Sequence, residues 1–350
     1  MNLDDLKEMR RIDSMNMIND IDGLPDQIET AIQIAKINTL PKWTGFENVL
    51  ISGMGGSAIA GDLLAAYLAT SCPLPILSHR DYDLPAWVSD EKTLVIACSH
   101  SGNTEETLST FEVARSLGCR IVAVTTGGKL AAATKAAGFP VWIFNHTGQP
   151  RSAVGFGFVL LISILSKLGL IPNPEIDLHN AVALMRRELV KHQPSSLVNQ
   201  NPAKRLAGQL VGRNITIIGS GVLAPLGRRW KGQINELAKA IATFDTLPEA
   251  DHNSLAGTTN PDEVLVKNFA LFLHCSSDHP RNSKRAKLTR DAYMVNGINT
   301  DSFTAAGNTL MEQLWTTLHM GDYVAYYLAM LYEIDPTPID AIQHFKADLG

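Results

Sequence analysis

Twice along this 350-residue chain an apolar run ends in a glycine turn that feeds a helical pattern: "NVLISGMGGSAIAGDLLAAYL" from Asn48 and "NITIIGSGVLAPLGRRWKGQINEL" from Asn214. Short apolar runs bounded by turn signals and alternating with helices require a parallel sheet covered on both faces. Further strands are expected at "PLPILS", "TLVIACS", "RIVAVTT" and "FALFLHC". Gly219 stands 166 positions after Gly53, and Cys275 stands 177 after Cys98. That is the spacing of one α/β unit duplicated with a small insertion, far longer than a solenoid repeat. Beyond Pro172 the apolar strands stop, so the expected division is 1–172 for the first domain, 173–199 for a helical connector and 200–350 for the second.

At 350 residues and 45% apolar, the chain has enough material for two cores. The net charge of −5 comes without a long basic run, which argues against nucleic acid or an acidic membrane as partner and favours a small molecule. Four widely spaced cysteines, with no CxxC pair, suggest neither a disulfide framework nor a thiolate metal site. His100, His274 and His279 have no metal-ligand spacing, and no metal or cofactor is expected. "MNLDDLKEMRRID" is charged from residue 4 and lacks the apolar core of a secretory signal, so a cytoplasmic location is expected. The longest apolar run, "AVGFGFVLLISILS" from Ala153, covers fourteen residues, short of the ~20 needed to cross a bilayer, and is read as a buried helix.

"CSHSGNTEET", from Cys98, gathers hydroxyls at the end of an apolar strand, just ahead of a helix expected over 103–117 with Asn103 as its cap. In open parallel sheets ligands sit outside the carboxyl ends of strands, where "GMGGS" and "SHSGNT" both fall. Helix N-termini there, with donors from Ser57, Ser99, Ser101 and Thr104, suit a phosphate, and Gly55, Gly56 and Gly102 let the backbone approach it. Taken alone, the same loop is equally a Ser- and Asn-rich turn that only caps its helix. "GMGGSAIAG" lacks the lysine of a P-loop, and Ala58 replaces the last glycine of a dinucleotide fingerprint. The second half replaces SGNT with "SDHPRN".

"GMGGSAIAGD" together with "SHSGNTEETL" resembles the sugar isomerase (SIS) domain. With "PRSAVGFGF", "RRWKGQINELAK", "LPEADHNSLAG" and "GDYVAYYLAMLYEIDPTPIDAIQHFK", the chain resembles the bifunctional phosphoglucose/phosphomannose isomerases over nearly its whole length. The resemblance implies two SIS domains, each a five-stranded parallel sheet flanked by helices, in a homodimer. It also implies aldose–ketose isomerisation between glucose 6-phosphate or mannose 6-phosphate and fructose 6-phosphate. The family's route is metal-free, through ring opening and a cis-enediol. Carried over by motif, Glu236 is the base, His252 a ring-opening acid/base supplied by the neighbouring subunit, Lys346 its helper and Arg151 the stabiliser of the enediolate. Phosphate goes to Gly55, Gly56, Ser57, Ser99, Ser101 and Thr104. Thr337 of "DPTPI" is the candidate contact that admits both C2 epimers.

The chain departs from common family patterns with Leu237 after Glu236, and with Asp251 and Ser254 around His252, so Asp251 is expected either to raise the basicity of His252 or to point away. Read singly, Glu236 beside Lys239 is a surface ion pair, His252 a solvated turn residue and Lys346 a loose tail residue. Arg151 reads as a residue near a helix start, where a cation is poorly placed. Such an isomerisation needs a proton-moving base, an electrophile for the developing oxyanion and a ring-opening acid/base, and a carboxylate, a guanidinium and an imidazole supply these. The stripe Trp315, Leu318, His319, Tyr323, Tyr326 and Tyr327 is read as packing. The rival readings are an SIS isomerase for another phosphosugar and a phosphosugar-sensing module.

Overall fold

Strands fed by crossover helices can only pair in parallel, and both sheets obey this. The computed structural model describes residues 1–349, which contain nine strands in two sheets. The first comprises β1 (Asn48–Ser52), β2 (Ile76–His79), β3 (Thr93–Ser99), β4 (Arg120–Thr125) and β5 (Val141–Ile143), in the order β2-β1-β3-β4-β5. The second comprises β6 (Asn214–Ser220), β7 (Ala242–Leu247), β8 (Asn268–His274) and β9 (Asn299–Thr304), in the order β7-β6-β8-β9. All pairings are parallel.

The five-strand expectation holds for the first sheet and is corrected for the second, which has four. After β9 the chain does not return to the sheet. Thr309 and Glu312 form a capping box that starts the 22-residue helix Leu310–Leu331, which is buried nearly all round. The expected stripe of Trp315, Leu318, His319, Tyr323, Tyr326 and Tyr327 lies on this helix and is buried. Complete burial of such side chains contributes about 1.5–3 kcal/mol each.

Two compact units result: residues 23–183, and residues 1–22 together with 184–350. These bounds differ from those expected from the sequence. The N-terminal 22 residues pack with the second sheet's unit, and the division falls inside the helix Glu175–His192 instead of at Pro172. Side-chain bonds explain the first difference: Tyr323 donates to Asp22, and the buried ring of His319 donates from Nε2 to the Ile21 carbonyl at 2.7 Å. Each unit has its own core. Leu50, Val95, Phe111, Ile121 and Leu130 centre the first, and Ile218, Leu247, Phe272 and Tyr293 the second. The apolar run after Ala153 is the helix Val154–Lys167, nearly all of it buried. Among the described residues no helix is long and apolar enough to cross a membrane.

Candidate active site

β1 lies between β2 and β3, so the direction of winding reverses there, and loops leaving β1 and β3 border one crevice. These are the loops that begin "GMGGS" and "SHSGNT". They touch: a Cβ on Gly53 would stand 2.9 Å from the Cys98 carbonyl oxygen. Gly55 (φ +49°) starts the helix Gly55–Leu68, which has no side-chain cap. The helix Glu105–Ser116 likewise starts after Thr104 with no side-chain cap bond. First-turn amides have no intrahelical acceptor to donate to, so both starts suit an anion.

Asn103 does not cap this helix as expected. Its Oδ1 accepts from the Lys129 amide at 3.1 Å, because the chain makes a further turn before becoming helical. That turn is organised by hydroxyls. Ser99 Oγ lies 2.8 Å from Thr104 Oγ1 and accepts from the Gly102 amide at 3.0 Å, while Ser101 Oγ accepts from the Asn103 amide at 3.2 Å. Gly102 is obligatory, since its φ is +68° and a Cβ would lie 1.9 Å from the Gly127 oxygen.

Arg151 joins the same edge. It lies in the 3-10 turn Pro150–Ser152 and is only 3% exposed. A Cβ on Gly56 would come within 2.6 Å of the Pro150 oxygen and 3.2 Å of the Arg151 Cα, so the glycine is what lets this turn press against the helix start. Gly56, Ser57, Cys98, His100 and Pro150 all line one small cleft. The Cys98 thiol is pushed up to about 12 by burial, which leaves it inert as a nucleophile.

In the other unit, Glu236 stands in the last turn of the helix Ala224–Leu237. It is half-buried and lines a cavity of about 460 Å³ with Asn235, Lys239, Ile334, Asp335 and Pro338. The helix is fixed by a buried ion pair: Arg229 Nη2 donates to both oxygens of Asp322 at 3.0 and 2.9 Å, and Gln233 adds a bond to Asp322 at 2.8 Å. Burial raises the Asp322 carboxyl, opposed by the Arg229 charge and hydrogen bond. Lys239 Nζ reaches the carbonyls of Asp335 at 2.7 Å and Leu237 at 3.2 Å. Thr337 is buried beside this cavity's wall, its amide donating to Asp335 Oδ1 at 2.9 Å.

His252 ends the turn Glu249–His252 and is exposed. Of the two expectations for Asp251, pointing away is the one observed, because its carboxylate accepts from Arg285 at 2.9 Å and Thr289 at 2.6 Å. Lys346 lies on the helix Asp340–Leu349, which buries none of its residues. Sequence reading missed Gln27, His146, Arg229 and Asp322. The last two carry a faint signal, since Arg229 and Gln233 share a face at i, i+4.

The reversal points and their loops define a protein with two SIS-type domains. Residues 46–139 match the model of the SIS domain, and residues 199–349 that of the bacterial phospho-glucose isomerase C-terminal SIS domain. A hypothetical protein of Thermus thermophilus shares the fold, with a TM-score of 0.74 at 16% identity, covering 97% of this chain and 92% of that one. The chain belongs to the bifunctional phosphoglucose/phosphomannose isomerase family. It is 39% identical to the member from Caldicellulosiruptor bescii over 95% of this chain and 99% of that protein. Identity to the member from Aquifex aeolicus is 33%, over 87% and 91%. A D-glucosamine-6-phosphate 4-epimerase of Sulfolobus acidocaldarius is 30% identical over 77% of this chain and 86% of that protein.

Proposed function

We propose that the chain interconverts glucose 6-phosphate and mannose 6-phosphate with fructose 6-phosphate, by ring opening and proton transfer through a cis-enediol. The observation that carries this reading is the crevice edge at β1 and β3, where two uncapped helix starts, the hydroxyls of Ser57, Ser99, Ser101 and Thr104, and the turn bearing Arg151 lie together. The hydroxyls and amides hold the phosphate, with Gly55 and Gly56 giving the backbone room. Arg151 meets the oxyanion that grows as the enediolate forms. Glu236 moves the proton between C1 and C2, Thr337 accommodates either C2 epimer, and His252, helped by Lys346, opens the ring. Binding energy from the non-reacting phosphate orients the carbons against the base.

The exposure of His252 supports its being offered to a second copy of the chain in a homodimer. The reaction would serve glycolysis and gluconeogenesis in the cytoplasm.

The test is incubation with fructose 6-phosphate in D₂O, following deuterium at C2 of both aldose products. Label is expected in each, and Glu236→Gln should slow exchange by about 10²–10⁴-fold while still binding phosphosugar. Full exchange in that variant would reassign the base. The likeness to the epimerase supports a second reading, in which the phosphosugar is altered at C4. Turnover of glucosamine 6-phosphate without turnover of fructose 6-phosphate would select it.

A further inference from the structure

A hydrogen-bonded chain of side chains connects the Arg151 turn to the hydroxyl loop. His100 Nε2 lies 2.9 Å from His146 Nδ1, His146 Nε2 lies 3.4 Å from Ser152 Oγ, and Ser152 Oγ lies 2.9 Å from the Gln149 carbonyl oxygen. For neutral rings the far end fixes each direction. A carbonyl only accepts, so the single proton of the Ser152 hydroxyl goes to Gln149. His146 Nε2 then donates to Ser152, its Nδ1 accepts, and His100 Nε2 is the donor to it. With both imidazoles neutral, each ring carries its proton on Nε2. The surroundings of His100 agree: burial first, and then the neighbouring His146, hold its pKa down to about 4.

The chain is firmly seated at both ends. The His100 carbonyl accepts from the amide and the hydroxyl of Thr126 at 3.1 and 2.7 Å. On the other side, the Ser152 carbonyl accepts from Gln27 Nε2 at 2.8 Å, while Gln27 Oε1 accepts from the Phe156 amide at 3.2 Å. Phe144 and Phe156 stack at 4.8 Å, and each meets one of the two imidazoles edge-on. The polar chain is thus half-buried against an aromatic surround, which favours its hydrogen bonds over those to water.

We infer that His146 is a positioning residue, a brace that sets the turn carrying Arg151 against the loop carrying Ser99 and Ser101. Phosphate seated on that loop thereby fixes where the guanidinium stands. What Arg151 does there rests on the isomerase reading, whereas the brace does not.

Two measurements on the full chain test it. Nitrogen-15 spectra of the imidazoles should show His100 and His146 as neutral Nε2–H tautomers at pH 7, and a proton on Nδ1 of either ring would overturn the inference. Kinetics supply the second arm. His146→Phe keeps the aromatic surround but cannot bond, and should lower kcat about 10- to 100-fold while KM and the inhibition constant of inorganic phosphate stay near those of the parent. Unchanged kcat, or kcat and phosphate affinity collapsing together, would overturn it. His146→Leu, which also cannot bond, gives the same comparison should the phenylalanine variant not fold. Absence of fructose 6-phosphate turnover in the parent protein would sink the isomerase reading alone, since the tautomers still report on the brace.

Discussion

At the carboxyl edge of the first sheet, the loops after β1 and β3 present hydroxyls and glycines. At the same edge of the second sheet, after β6 and β8, a carboxylate already stands in the crevice. Asp278 accepts from Ser220 Oγ at 3.0 Å with one oxygen and from the Cys275 amide at 3.0 Å with the other, tying the two loops together across the reversal. Asp278 falls 177 positions after Ser101, the offset that also relates Cys275 to Cys98. The two edges share one topology, with the loops after two neighbouring strands facing each other where the winding reverses. The difference lies in who brings the negative charge. In the second copy the protein supplies its own anion, and the edge becomes a structural clasp instead of a binding site.

Moving that carboxylate to the first copy should have the largest effect. Ser101→Asp places a like charge at the proposed phosphate site and should raise the KM for phosphosugar about 100-fold or more, while leaving the melting temperature nearly unchanged, because an acid near a helix start is tolerated. An unaltered KM would break the comparison. Gly56→Ala comes next. The new methyl meets a backbone oxygen at 2.6 Å, so the Arg151 turn must shift, and kcat/KM should fall about 10²-fold in steady-state assays.

The reverse exchange, Asp278→Ser, removes two bonds to a charged acceptor and should lower stability by about 1–3 kcal/mol in denaturant titrations. It should also let calorimetry detect a second equivalent of inorganic phosphate per chain. The last effect appears only in acid. His319 is wholly buried and held at about 4 by desolvation, against about 6.5 when unfolded. Its stabilising contribution is complete above pH 6.5 and is lost as pH falls toward 4, by about 1.4 kcal/mol per pH unit. His319→Gln keeps a donor for the Ile21 carbonyl and should flatten that acid limb, measured as the denaturation midpoint against pH.

What the sequence shows of this fold depends on burial. β3, β4 and β8 lie inside their sheets and read as apolar runs, as does β6 apart from Thr216. β7 "ATFDTL" and β9 "NTDSFT" are half-exposed edges whose polar residues carry no such signal, and β5 is only three residues long. The hydroxyl loops and the Arg151 turn were legible because glycine and proline punctuate them. The brace was not, since His146 sits in "NHTGQPRS" with no periodicity to mark it, and its partners His100 and Ser152 are near only in space. The clasp was half-legible: the replacement of SGNT could be seen, but not that Asp278 would turn inward.

The grouping of residues 1–22 with residue 184 onward has a consequence for biosynthesis. A ribosome adding about 5–20 residues per second completes the contiguous unit 23–183 while the leading segment still lacks its partner. Roughly fifteen to sixty seconds, at that rate, separate the making of Met9, Ile12, Met17 and Ile21 from that of the helix bearing His319 and Tyr323. A segment made before the unit 23–183 thus reaches its final place only after it, and it is the stretch on which a chaperone would act.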